Sequence, residues 1–280
     1  MKLRSLIILG IILLSSLFVD AQYKVLDKPW VKENTPTRRV VPYTHVREAD
    51  VMWNRRVWRV IDLREKINHP LYYPINPIED RKSLFTVITE AVAEGTITAY
   101  DDIDDEFTVP LTKADAEKKM SFPVVQKQYD EFGDELEGFA DTTYETYSSQ
   151  DIIAYRLKED RFFDNERSIM DVRIMGICPV RAEVDRETEV FKGYVAMFWV
   201  YFPEARYVFA NFDVFNRQND AERRTFEDIF WKRLFNSYAY KRSNVYDRNN
   251  KDFLKNIELL LEADRIKEDI FTMEHDLWHF

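Results

Sequence analysis

Apolar residues recur at helical spacing in the first third of the chain. One set follows a plausible N-cap at Asp50 and comprises Trp53, Val57, Val60, Ile61 and Ile67. A second set runs to the place where Gly95 can end a helix. Steps of three and four residues put such side chains on one helix face. The pattern therefore predicts two amphipathic helices, over residues 53–67 and 81–94.

The middle of the chain alternates apolar and polar residues as strands do. Met170, Val172 and Ile174 lie on one side of such a run, and residues 164–166 have the composition of a turn before it. The preceding run begins at Asp151. Further strands are predicted over 96–100, 107–109, 190–201 and 207–215. Between 123 and 149 the chain is acidic and shows no clear pattern.

Helical spacing returns in the last quarter of the chain. Asp220 can cap a helix whose apolar residues extend to Tyr238, and Asn250 can cap another that extends to Ile270. A short helix can begin at Thr112. The order of elements favours an α+β fold, with an antiparallel sheet (central strands from about 151–215) packed with N-terminal and C-terminal helices.

The first residues have the layout of a secretory signal peptide. Lys2 and Arg4 precede an apolar stretch, and small or short residues lead up to Ala21. We expect cleavage between Ala21 and Gln22, and we weigh an uncleaved anchor as the alternative. Residues 22–49 contain three prolines and no helical period, so they form either an extended arm or a disordered tether. The predicted domains are 1–21 signal peptide, 22–49 arm and 50–280 a single α+β domain.

Composition narrows the possible partners. Hydrophobic residues make up 45% of the 280-residue chain and aromatic residues 15%, which is enough to build a core without disulfides. The formal net charge is −10, and an acidic chain is a poor match for nucleic acid or an anionic membrane surface. Cys178 is the single cysteine. An internal disulfide is therefore excluded.

A search for chemistry gives weak candidates. His275 and His279 are four residues apart and could share a helix face that holds a metal, but the pair is more simply read as surface histidines. Cys178 lies in an apolar run and is expected to be buried and inert. The acidic run 101–106 is read as a solvated loop, although a carboxylate pair for glycoside hydrolysis stays open. No phosphate loop, GxSxG elbow or cofactor motif occurs in the sequence.

Tryptophan and arginine are concentrated in one short segment. The candidate interface residues are Trp53, Arg55, Arg56, Trp58 and Arg59. Both residue types are enriched at the energetic centres of interfaces. Arginine also pairs well with carboxylates such as Asp62 and Glu65, so internal ion pairs are the equally weighted alternative.

The same segment carries a resemblance to a known family. READVMWNRRVWRVIDLREKINHPLYYP, starting at Arg47, resembles the GldN family, also called PorN, of the gliding and type IX secretion machinery of Bacteroidetes. Three later segments are similar as well. They are YRLKEDRFFDNERSIMDVRIMGICP from Tyr155, SYAYKRSNVYDR from Ser237 and RIKEDIFTMEHDLW from Arg265.

The resemblance implies a structural component rather than an enzyme. Members are expected in the periplasm, where they form rings with the outer-membrane lipoprotein GldK (PorK) at the inner face of the outer membrane. The rings contact the periplasmic domains of GldM (PorM), which forms the motor with GldL. No catalytic, metal or cofactor residue follows from the family. A glycoside hydrolase or a glycan-binding module is the alternative that the residues alone leave open.

Overall fold

The fold is described from a computed structural model, which covers residues 39–78, 81–126, 141–184, 190–219 and 221–277. These residues belong to one compact unit that spans 36–280. The predicted signal peptide with its cleavage site at Ala21 and Gln22, and most of the predicted arm, lie outside the described residues. Among the helices that are described, none is long and apolar enough to cross a membrane.

Strands and helices follow one another in mixed order. The strands are β1 (Val51–Asp62), β2 (Ala99–Tyr100), β3 (Ser121–Gln126), β4 (Asp141–Thr146), β5 (Ile152–Asp164), β6 (Ile169–Val184), β7 (Phe191–Ala196), β8 (Trp199–Tyr201), β9 (Asp213–Val214), β10 (Arg224–Thr225) and β11 (Tyr238–Arg242). The helices are α1 (His69–Tyr72), α2 (Leu84–Glu94), α3 (Lys113–Met120), α4 (Phe202–Phe209), α5 (Phe226–Trp231) and α6 (Ile257–Asp276).

A seven-stranded sheet forms the centre of the described residues. Its order is β11-β1-β5-β6-β8-β2, with β7 paired to β6 beside β8, and each of these pairs is antiparallel. The long β5–β6 hairpin turns at residues 165–168. This arrangement confirms the predicted α+β fold with an antiparallel sheet.

The two faces of the sheet carry different cores. On one face, Tyr155, Leu157 and Ile177 join the apolar sides of α2, α4 and α5 in the main core. Neighbouring positions of the same strands point the other way. There Trp58, Cys178 and Trp199 form a second cluster. The central strands are therefore covered on both faces.

Helix α2 forms as its sequence predicts. Ser83 caps it by accepting a hydrogen bond from the Thr86 amide at 3.2 Å. Gly95 ends it in the left-handed region at φ 80°, where a side chain would be strained. Helix α3 likewise begins after a cap at Thr112. Both predictions are confirmed.

The predicted helix over residues 53–67 is wrong, because residues 53–62 belong to strand β1 and residues 63–67 form turns. Val57 and Ile61 point into cores on one face and Trp58 into the core on the other. A strand covered on both faces lacks the polar alternation that identifies a half-exposed strand. Its apolar positions then match helical spacing by coincidence.

The strands predicted over 190–201 and 207–215 also need correction. The first run divides into β7 and β8, with a break at residues 197–198. The second run begins inside α4, which places Phe202, Ala205 and Phe209 at helical spacing on the core. Pro203 occupies the first turn of α4, where its missing amide costs nothing. That proline was the sequence signal for a helix start.

The shorter predictions were partly correct. Residues 107–109 form no strand, and residues 121–126 and 141–146, which were read as unpatterned, form the β3–β4 hairpin. Helix α5 is capped by Thr225 and ends well before Tyr238, which belongs to β11. Asp220 lies outside the described residues. Asn250 begins a short 3-10 turn, and the long C-terminal helix starts later, at Ile257.

Candidate interaction surfaces

Strand β1 places the tryptophan and arginine candidates in unequal surroundings. Trp58 is buried and its Nε1 donates a hydrogen bond to Asp105. The ammonium groups of Lys158 and Lys241 lie 5.9 and 4.3 Å from its ring centroid. Trp53 stays partly accessible. Trp58 therefore belongs to the core, whereas Trp53 reaches the surface.

The arginines of β1 pair with carboxylates of the neighbouring strand β5. Arg56 binds Asp160 through two hydrogen bonds of 2.6 and 2.8 Å. Arg59 is buried and donates to Ser237, at 2.8 Å to the side chain and 2.6 Å to the backbone oxygen. Arg55 is half-buried. An interface role for this set stays a prediction, with Trp53, Arg55 and Arg56 as its partly accessible members.

Glu159 is the centre of a buried ionic cluster on β5. Its carboxylate is fully buried and lies 2.9 Å from Arg233, 3.2 Å from Arg161 and 3.7 Å from Arg59. Burial by itself raises the pKa of Glu159, but the three guanidinium groups outweigh it and the pKa is lowered. Burial lowers the pKa of Arg59 to about 10. This buried cluster therefore contributes to the fold rather than to an exposed surface.

The acidic run 101–106 is tied to the body of the protein. Lys119 binds the carboxylates of Asp101 and Asp102, which lowers the pKa of Asp101. Asp105 accepts from Trp58 and lies 3.5 Å from the ammonium of Lys158. These carboxylates are occupied by cations or by a ring N–H. Asp101, Asp102 and Asp105 thus form part of a cover over the Trp58 core.

The remaining candidates from the sequence are the cysteine and the two C-terminal histidines. Cys178 is fully buried, and burial raises the pKa of its thiol to about 12. The thiol therefore stays neutral and shielded. His275 lies 3.6 Å from Asp276 on the last turn of α6, and His279 lies outside the described residues. Within the described residues, no group of three potential ligands could hold a metal ion.

Tyr43 fixes the segment that leads into β1. Its ring lies 4.0 Å from the Arg206 guanidinium carbon and 5.1 Å from that of Arg173, and it stacks on Trp231 at 5.9 Å. Arg206 also donates to the Val41 backbone oxygen at 2.7 Å. Burial raises the pKa of the Tyr43 hydroxyl. The described end of the predicted arm is thus packed against α4 and α5.

Helix α6 has two apolar faces. The inner face packs Ile266 and Ile270 against Val57 and Ala239 of the sheet. The outer face carries four large apolar side chains that are 61–70% exposed: Ile257, Leu260, Leu261 and Phe271. An ordinary surface helix needs one apolar stripe only. The second stripe marks α6 as a candidate interaction surface.

A groove lies on a different part of the surface. Two depressions of about 480 and 590 Å³ share Phe215 as a common wall. Their exposed apolar side chains include Ile67, Tyr73, Ile78 and Leu234. Arg81 lies over the Phe215 ring at 5.7 Å, and Arg217 lines the same wall. We call this feature the Phe215 groove.

With these surfaces in place, the comparison with known families is decisive. The family model described as gliding motility associated protein GldN matches residues 46–279. The chain belongs to the GldN family. That match includes every strand and helix described above, from β1 to α6. Curated proteins were searched as well, and none matches the chain.

The two exposed features of this GldN-family chain were missed at the level of sequence. The apolar residues that predict this helix include both Leu261 and Ile270. At 100° per residue, however, Ile270 lies on the side of the helix opposite Leu261 and about 80° from Leu260. Separating the two stripes was therefore possible from the sequence. The Phe215 groove was not, because it joins residues from four separate segments.

Proposed function

We propose that the chain is a non-enzymatic structural subunit of the gliding and type IX secretion machinery. In this proposal it forms periplasmic rings with the GldK (PorK) lipoprotein and contacts the motor component GldM (PorM). Membership of a gliding motility family supports the proposal. The expected signal peptide supports the periplasmic location, at the inner face of the outer membrane.

The observation that carries the proposal is the exposed apolar face of α6. A monomeric soluble protein gains nothing from presenting Leu260, Leu261 and Phe271 to water, because each costs free energy in proportion to its exposed apolar area. Contiguous exposed apolar surface is typical of protein–protein contacts. A subunit whose work is assembly needs such a surface, whereas an enzyme needs a cleft in which a few catalytic groups are placed to reach the substrate.

The occupied carboxylates weigh against a hydrolase. A glycoside hydrolase needs two carboxyl groups that face a cleft and reach the substrate. In the acidic run, Asp101 and Asp102 bind Lys119, and Asp105 binds Trp58. Substrate would have to displace these partners first.

Co-purification with the lipoprotein tests the proposal. The mature chain and the GldK-type lipoprotein are produced in the same cells, purified through a tag on the lipoprotein, and imaged by electron microscopy. We expect stoichiometric complexes that include ring-shaped particles. A well-behaved monomer that the lipoprotein does not capture would contradict the proposal. Hydrolysis of a polysaccharide in a parallel activity screen would favour the enzymatic alternative.

A further inference from the structure

We propose that α6 of one copy of this chain docks through its outer face into the Phe215 groove of the next copy. The contact is head-to-tail, since the two surfaces are different and lie on different elements. This inference rests on the proposed function, because it names the contact by which copies of the chain join within the assembly.

The outer face of α6 has the form of a groove-binding helix. Its residues at positions 257, 260, 261, 264, 268 and 271 follow steps of one, three or four and fall within about 100° of arc at 100° per residue. The stripe from Ile257 to Phe271 is about 21 Å long at 1.5 Å per residue. Helices that enter apolar grooves use anchors at this spacing.

The Phe215 groove offers a matching receptor. Its two depressions share Phe215 as a common wall and together are lined by five exposed large apolar side chains, counting Phe215 itself. They lie in loops and short elements around α1, β9 and α5. A groove with apolar walls and an open top can cover one stripe of a helix while the inner stripe stays on its own sheet.

Charge favours this pairing. Helix α6 carries seven carboxylates and two basic side chains over residues 257–276. Asp264 and Glu268 lie on the outer stripe, and neither takes part in an ion pair in the described part of the chain. In the groove, the described residues form no ion pair with Arg81 or Arg217, while Arg224 is paired with Glu222 at 3.2 Å. An acidic and apolar helix thus matches an apolar groove with two uncompensated arginines.

A helix cannot reach its own groove without leaving the sheet. Ile266 and Ile270 anchor α6 against Val57 and Ala239, and the outer stripe stays exposed in the folded chain. A contact with a second copy covers the helix face of one molecule and the groove of the other at the same time. Contacts between two different faces propagate from copy to copy and close into a ring when the rotation permits.

Two single variants and their mixture test the contact. Leu261→Arg disables the helix face, and Phe215→Asp disables the groove. Both side chains are exposed, so the fold should be retained, which circular dichroism and thermal melting check. Tyr144→Asp is the matched control, because Tyr144 is 71% exposed on β4 and belongs to neither surface.

Sedimentation of the mature chain gives the first readout. We expect concentration-dependent association of the wild type and of Tyr144→Asp. Association should weaken roughly tenfold or more in each of the two surface variants, as expected for the loss of an interface anchor. Mixing the two variants should produce dimers that grow no further, because one partner keeps an intact groove and the other an intact helix.

Other outcomes overturn the inference. Self-association of Phe215→Asp alone, at wild-type strength, would show that the groove is not the receptor. Self-association of Leu261→Arg at wild-type strength would exclude the helix. A mixture that stays monomeric while the wild type associates would exclude the pairing of these two surfaces.

The lipoprotein complex separates this inference from the proposed function. If the proposed function and the head-to-tail contact are both correct, each surface variant is still captured by the tagged lipoprotein but yields only small particles. If the lipoprotein captures all variants and full-size particles persist, the proposed function stands and the head-to-tail contact is wrong. If the wild type is not captured but self-associates as described, the contact stands and the proposed function fails. A wild type that neither self-associates nor forms large particles with the lipoprotein contradicts the contact.

Discussion

At the scale of single residues, Glu159 shows how a buried carboxylate compensates the charge of arginines in the interior of the protein. Three arginines converge on one buried carboxylate. Such a cluster adds little stability compared with an apolar core, since desolvation offsets most of the attraction. Removing its single negative member, however, leaves the buried Arg59 beside Arg161 and Arg233 without compensation.

Glu159→Gln is therefore expected to destabilise the protein strongly. The loss should be about 3–5 kcal/mol in the free energy of unfolding, the range for breaking a buried ion pair from one side. Denaturant unfolding at neutral pH measures it. Glu117→Gln is the control, because Glu117 is exposed on α3 and should change the unfolding free energy by less than about 0.5 kcal/mol.

The pH dependence of stability provides a second expectation for Glu159. Its pKa is lowered in the folded state, so the unfolded chain binds the proton more readily. The stabilisation is present above the unfolded pKa of about 4.3 and is lost as the pH falls through the lower folded value. We expect unfolding curves recorded between neutral and acidic pH to converge for the wild type and Glu159→Gln. Curves that stay equally far apart down to the lowest pH would contradict the assignment.

The sequence predicts that these arginines have carboxylate partners within the chain, but it does not identify most of those partners. The sequence suggested internal partners for the arginines of 55–64, and Arg64 does bind the nearby Asp62 at 2.6 Å. Arg56 and Arg59 instead find partners on β5, about a hundred residues later. Their choice depends on the register of β1 against β5, where Arg56 lies opposite Asp160. No local spacing encodes that register.

At the scale of elements, the cover formed by residues 101–107 depends on one aromatic contact. Phe107 adopts a positive φ of 61° and packs edge-on against Tyr100 and Trp199. Beneath it, Gly176 of β6 leaves the space that the ring fills. A Cβ at residue 176 would lie 2.6 Å from the ring of Phe107. The glycine thus permits the cover to close.

Gly176→Ala is expected to displace Phe107 and loosen the cover. Overpacking of this kind costs about 1–3 kcal/mol. Thermal melting measures the loss, and increased hydrogen exchange in residues 101–109 identifies its location. In the background of Phe107→Ala, Gly176→Ala should cost much less than it does alone, because the Trp199 ring, 3.1 Å from the added Cβ, is then the remaining close contact. If the two substitutions are additive, the proposed contact is not the cause.

Helix α2, which has one face on the core, was predicted well, whereas strand β1, which is covered on both sides, was not. The stripe of α2 faces one core, so its spacing and caps identify it. Strand β1 faces cores on both sides, which erases the period of two. Helix α4 is short, and three of its eight residues are aromatic, a residue type that suits strands as well as cores. Burial on both faces explains the error at β1, and composition explains the error at α4.

At the scale of the whole molecule, Tyr43 decides where the N-terminal segment meets the domain. Four aromatic or cationic groups from distant parts of the chain gather there: Tyr43, Arg173, Arg206 and Trp231. The contact holds a segment that has no strand or helix of its own. The same two arginines also donate to backbone oxygens of the segment, Arg206 to Val41 and Arg173 to Thr44, so Tyr43 is the side chain around which its attachment is built.

Tyr43→Ala is expected to release this segment while the sheet stays folded. The lost cation–π contacts are worth about 1–2 kcal/mol, which corresponds to a roughly 5- to 30-fold increase in local opening. The rate of trypsin cleavage after Arg39 and Arg47 measures it. Tyr144→Ala, at an exposed tyrosine, should leave the rate unchanged. Equal rates for Tyr43→Ala and the wild type would show that other contacts hold the segment.

The narrow inner face of α6 has a consequence for curvature. The helix is held by Ala263, Ile266 and Ile270, which lie around its middle, against the edge strand β11 and its neighbour β1. A rod held near its middle turns about that point, and a small tilt there moves both of its ends sideways. In a head-to-tail array the same tilt is repeated at every joint, so the angle between successive copies is determined there. Substitutions that resize Ala263 or Ile270 would then change how many copies complete one turn, although neither side chain touches a neighbouring copy.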